Sequence, residues 1–90
     1  MTNQSLIEQT SIYPNPASSF INISIDCSEK TKCAIVLTDV LGRTQMEGNI
    51  YSGGGTKTIS LNIPETIKAG IYFLSIKNDN KVIVKKIVLN

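Results

Sequence analysis

Apolar residues in this chain recur at every second position, in short bursts separated by polar turns. Ile21, Ile23 and Ile25 alternate with Asn22 and Ser24, and Ile59, Leu61 and Ile63 alternate with Ser60 and Asn62. A period of two is the signature of a strand with one face buried. Residues Cys33–Thr38 and Gly70–Lys77 are richer still in apolar and β-branched residues, as expected of central strands. Val82–Leu89 is a last strand whose apolar run is interrupted by Lys85 and Lys86. Thr44–Ile50 reads as a weaker strand with Met46 and Ile50 inward, and Leu6–Ile12 as a first short one.

Between these runs lie turn signals. Cys27–Lys32 reads as a polar hairpin loop, Ser52–Thr56 as a flexible glycine loop and Asn78–Asn80 as a hairpin turn. Asp39–Arg43 is a turn in which Gly42 is free to take positive φ. Pro64 ends its strand because it cannot donate to a ladder. The pattern predicts an all-β fold: about seven strands in an antiparallel, immunoglobulin-like β-sandwich, with a small barrel as the alternative. Residues 1–10 read as a linker and 11–90 as the domain.

Tyr13-Pro14-Asn15-Pro16-Ala17 stands apart from the alternation. Each proline fixes φ, lacks a backbone donor and holds the residue before it extended. The segment is therefore a stiff entry into the β domain, in keeping with an appended module rather than a free-standing enzyme.

Composition narrows the function. A chain of 90 residues makes one domain with a modest core, leaving little room for a deep catalytic cleft. The net charge of +2 is too small to imply nucleic acid. Its distribution is uneven: residues 66–90 hold Lys68, Lys77, Lys81, Lys85 and Lys86 against Asp79 alone. That cationic end either guides a partner or protects an edge strand from aggregation. No apolar run approaches the ~18 residues of a membrane-spanning helix.

Candidate chemistry is sparse. The chain has no histidine, which removes the commonest general base and metal ligand and any Ser-His-Asp or Cys-His arrangement. No cofactor, metal site or small-molecule substrate is expected. Cys27 and Cys33 flank the expected Cys27–Lys32 hairpin, where cross-strand neighbours can meet disulfide geometry. A Cys27–Cys33 disulfide is the favoured reading, with two reduced thiols as the alternative. Gly53-Gly54-Gly55-Thr56-Lys57 lacks the spacing and the following helix of a phosphate loop.

Four blocks occur in a telling order: Tyr13-Pro14-Asn15-Pro16-Ala17, Asp39-Val40-Leu41-Gly42-Arg43, Lys68-Ala69-Gly70-Ile71-Tyr72-Phe73-Leu74 and Lys85-Lys86-Ile87-Val88. In order and spacing they resemble the C-terminal sorting domain of type A cargo of the type IX secretion system of Bacteroidetes, over residues 11–90. The resemblance implies a non-catalytic signal at the end of a larger secreted cargo. The cargo would pass through the periplasm and the outer-membrane translocon. A shuttle protein would carry it to a sortase that removes the domain, leaving the cargo at the cell surface or secreted. The recognition elements it implies are Pro14, Asn15, Pro16, Asp39, Gly42, Arg43, Gly70, Tyr72, Lys85, Lys86, Ile87 and Val88. Cys27 and Cys33 are not part of the family's pattern.

Each of these residues also has a plain structural reading. Asn15 would cap its own turn, Gly42 and Gly70 would meet backbone demands, and Tyr72 would face the core. The rival function is an immunoglobulin-like module that binds carbohydrate or a surface. It requires an exposed aromatic platform, for which Tyr13, Phe20, Tyr51, Tyr72 and Phe73 are the candidates.

Overall fold

The structure, a computed structural model, describes residues 9–78 and 82–90. Five strands follow one another: β1 (Gln9–Tyr13), β2 (Phe20–Asp39), β3 (Thr44–Asn62), β4 (Gly70–Lys77) and β5 (Val82–Leu89). All pair antiparallel. No helix occurs among the described residues.

β2 and β3 are long enough to serve both layers of a sandwich. The first part of β2 lies between β1 and the last part of β3, with Ile23 opposite Ile12 on one side and Ile59 on the other. The second part lies between the start of β3 and β4, with Ile35 opposite Gly48 and Ile76. β4 then pairs with β5. Counted by layer, this makes seven antiparallel strand segments in two sheets, the expected immunoglobulin-like sandwich.

The core follows from the alternation. Ile21, Ile23 and Ile25 of one layer and Cys33, Ile35, Leu37, Leu74, Ile76 and Ile87 of the other are buried in one cluster. Burying each large aliphatic side chain is worth about 1.5–3 kcal/mol relative to leaving it in water. That term holds the two layers together, because a single open sheet would leave this face wet.

Two expected loops are corrected. Cys27–Lys32 is not a hairpin loop, because β2 runs through it with a register irregularity between Cys27 and Lys30. Ser52–Thr56 is not a loop either, because β3 runs through it and pairs Ser52 with Thr31 and Gly55 with Cys27. Polar and glycine residues are tolerated there because each strand supplies the other's backbone partners. The hairpin on which a Cys27–Cys33 bridge depends is therefore not formed. Both cysteines lie on β2, opposite Gly55 and Ile50 respectively, and are not cross-strand neighbours. Cys33 is buried in the core, while the Cys27 side chain lies outside the described residues.

The bounds of β4 and β5 agree with the sequence reading to the residue. Most of the turn expected between them, and the start of the first strand expected from Leu6, lie outside the described residues.

Candidate functional site

The four sequence blocks converge at one end of the sandwich. Asp39, at the end of β2, lies opposite Tyr72 of β4, and Tyr72 lies opposite Ile87 of β5. Asn15 then binds the backbone on either side of Ile87. Its Oδ1 accepts the Val88 N–H at 3.0 Å, and its Nδ2 donates to the Lys86 carbonyl at 3.1 Å. One row thus crosses the Asp39–Arg43 turn, the Gly-Ile-Tyr strand, the basic strand and the Pro-Asn-Pro block.

The Pro-Asn-Pro segment docks along β5. Both proline peptide bonds, Tyr13–Pro14 and Asn15–Pro16, are cis. Neither proline has an N–H to offer a ladder. The amide of Asn15 takes over, presenting one donor and one acceptor as a peptide group would. Ala17 continues the seam as a strand would, in a parallel bridge with Leu89. Its N–H donates to the Val88 carbonyl at 2.8 Å, and its carbonyl accepts the Asn90 N–H at 2.8 Å. Ala17 is 1% exposed, so a small side chain is required where the segment enters the core. Asn15 as the cap of its own turn is corrected accordingly: both of its described hydrogen bonds reach β5.

The Asp39 turn is built on one carboxylate. Asp39 Oδ1 accepts the N–H groups of Leu41 and Arg43, each at 2.9 Å. Its Oδ2 pairs with Arg43 Nε at 2.7 Å. The Gly42 N–H donates to the Asp39 carbonyl at 3.0 Å, and Gly42 takes φ +85°, a conformation that suits glycine. The Arg43 backbone N–H, then its guanidinium, and the Leu41 N–H hold the Asp39 carboxyl below its ordinary range; the side chain's partial burial opposes them. Val40 and Leu41 project at 64% and 73% exposure, leaving the tip of this turn apolar and open.

Gly70 opens β4 at φ +151°, which excludes side chains with a Cβ in comfort. Tyr72 is buried as expected, and its hydroxyl donates to the Lys68 carbonyl at 2.6 Å.

Lys85 and Lys86 do not act as a pair pointing one way. Lys86 lies opposite Phe73 on the outer face, and Val84 and Val88 share that face. Lys85 lies opposite Leu74, on the side that Ile83, Ile87 and Leu89 turn toward the core. It is nonetheless exposed, an inward-side charge on an edge strand.

The aromatic residues are dispersed. Tyr72 is buried and Phe73 half-buried. Tyr13 and Phe20 are exposed on the outer face of the first layer, diagonal to one another through the Tyr13–Asn22 pair. Tyr51 is exposed on the second layer opposite Lys32. Among the described residues no cluster of His, Cys, Asp and Glu could hold a metal ion.

The missed contributors are Ala17 and Leu89. A small residue directly after a Pro-Asn-Pro block is the sequence signal that could have marked Ala17.

This fold and this end of it define an immunoglobulin-like β-sandwich module whose distinctive residues gather around one strand edge instead of a cavity. The chain belongs to the family of secretion system C-terminal sorting domains, whose model matches residues 11–90. It is a C-terminal sorting signal of type IX secretion, from a non-catalytic family that works with the secretion machinery and a parent cargo, and a signal of this kind implies export to the cell surface or secretion. The curated proteins contain no match to the chain. Among solved structures it is similar to a β-glucosidase from Listeria innocua in complex with glucose, with TM-score 0.50 and 11% identity. That match covers 91% of this chain and 16% of the glucosidase, and it bears on the fold alone.

Proposed function

We propose that the convergent end of the sandwich is what the export machinery reads. The domain directs an upstream cargo from the periplasm through the outer-membrane translocon. A shuttle protein then delivers it to a surface sortase, which cuts in or before residues 1–12. The recognition elements are Pro14, Asn15, Pro16, Asp39, Gly42, Arg43, Gly70, Tyr72, Lys85, Lys86, Ile87 and Val88. The observation that carries this reading is the Asn15 clasp on Lys86 and Val88, which joins two blocks 71 and 73 residues apart into one surface. A signal read by its surface needs such a composite, because no single block is distinctive alone.

The test is a periplasm-targeted reporter fused ahead of residues 11–90 in a Bacteroidetes host, with and without its translocon. Export in the intact host and periplasmic retention in the other are expected. Equal retention in both rejects the reading.

The exposed Tyr13 and Phe20, flanked by Asn22 and Asn62, favour a second reading as a carbohydrate-binding module. Retention of the isolated domain on insoluble polysaccharide, lost in the Tyr13→Ala, Phe20→Ala double variant, supports it. Free passage of the unaltered domain excludes it.

A further inference from the structure

β5 has two flanks. One pairs with β4 in unbroken register from Val82 to Leu89. The other is closed from Lys86 onward, because Asn15 and Ala17 take the Lys86 carbonyl, both backbone groups of Val88 and the Asn90 N–H. In an antiparallel ladder, alternate residues turn their backbone groups to the same flank. The Lys86 N–H and both backbone groups of Val84 therefore face the open part of that flank. Among the described residues no strand pairs with β5 there. An open ladder is a template for another extended chain. Residues 15–17 already use the same flank in this way a few ångströms further along.

The side chains select what could join. Val82 and Val84 are 53% and 56% exposed, so an added strand would cover apolar surface. Lys85 and Lys86 rise on opposite faces of the same stretch, and β4 and β5 contain no Asp or Glu to neutralise them. A second copy of this edge would bring two lysine pairs together across one short seam, and like charges on facing strands are destabilising. The edge therefore repels itself. A strand that places one carboxylate on each face turns the same two lysines into attraction.

We propose that the open flank of β5, from Val82 to Lys86, is a strand-addition site selective for an extended partner segment carrying two adjacent acidic residues. Assigning that segment to the export machinery rests on the sorting-signal reading; the strand addition itself is a property of this chain.

The binding test uses the 90-residue chain labelled for NMR. The probe is a capped peptide of threonine and valine with two adjacent central glutamates; its control has two lysines in their place. The acidic peptide should shift the Val84 and Lys86 amides and slow their hydrogen exchange. The lysine peptide should bind roughly tenfold more weakly or worse, and the K85E/K86E variant should reverse that order. Equal binding of the two peptides, shifts that avoid Val84 and Lys86, or no reversal in a folded variant each overturns the proposal.

A second arm separates this inference from the reading beneath it. K85E/K86E in the reporter fusion should retain the cargo in the periplasm. If the folded variant is exported normally while deletion of residues 11–90 still blocks export, the assignment of this edge to the export machinery is wrong, Lys85 and Lys86 leave the recognition elements, and the rest of the sorting reading stands. If the deletion has no effect, the sorting reading fails and the peptide result alone judges the edge.

Discussion

Asn15 holds Val88 as a neighbouring strand would: its Oδ1 accepts the Val88 N–H at 3.0 Å while its Nδ2 reaches the Lys86 carbonyl. One side chain thereby closes an edge that two prolines could not close with their backbone. Asn15→Ala removes both hydrogen bonds. The site is exposed, so the cost should be about 1–2 kcal/mol, or a fall in Tm of about 5–10 °C. Asn15→Asp keeps the acceptor for Val88 and loses the donor to Lys86, so it should recover part of the loss at most. Thermal melts of both variants, with hydrogen exchange at Val88, check this.

Ala17 sits 1% exposed where the entry segment meets the core. Ala17→Leu should cost about 1–3 kcal/mol through overpacking, because its backbone is held on both sides by Val88 and Asn90. Ile76→Ala, at a fully buried central position, should cost about 2–5 kcal/mol. Denaturant unfolding gives both values. A loss for Ile76→Ala no larger than that of an exposed substitution contradicts the packing described.

The Asp39 carboxyl titrates below its ordinary range, so its contribution has a definite sign with pH. The stability it adds is present above the ordinary carboxylate range and is lost as pH falls through its folded-state value. Asp39→Asn should lower Tm at neutral pH and converge with the unaltered chain in strong acid. Melting curves from neutral to acid pH test this, and a constant gap at every pH contradicts it.

Gly42 and Gly70 take φ of +85° and +151°. Gly70→Ala should cost about 1–3 kcal/mol, and Gly42→Ala should sit near the lower end of that range. No atom lies within 4 Å of a Cβ placed on Gly42, so its loss would be backbone strain alone.

Much of the fold is legible in the sequence because burial writes itself as alternation. Ile21, Ile23 and Ile25, and the full extents of β4 and β5, are of this kind. The continuity of β2 and β3 is not. Where those strands pass between layers, polar residues and glycines break the alternation, although the hydrogen-bonded ladder continues; hydropathy reports burial and is blind to backbone pairing. The site shows the same division. The Asp39–Arg43 turn is local and can be read from its residues. The Asn15 clasp spans more than 70 residues and leaves no periodic trace. Adjacency in a strand puts Lys85 and Lys86 on opposite faces, but it does not reveal that Lys85, on the core-facing side, stays exposed.

In the proposed function the clasped edge, rather than any single block, is the sorting signal. Export of a periplasm-targeted reporter fused to residues 11–90 carrying Asn15→Ala measures it most directly, at a temperature where circular dichroism shows the variant folded. The reporter should be retained in the periplasm although the domain is intact. Export of the folded variant at the efficiency of the unaltered domain would contradict it.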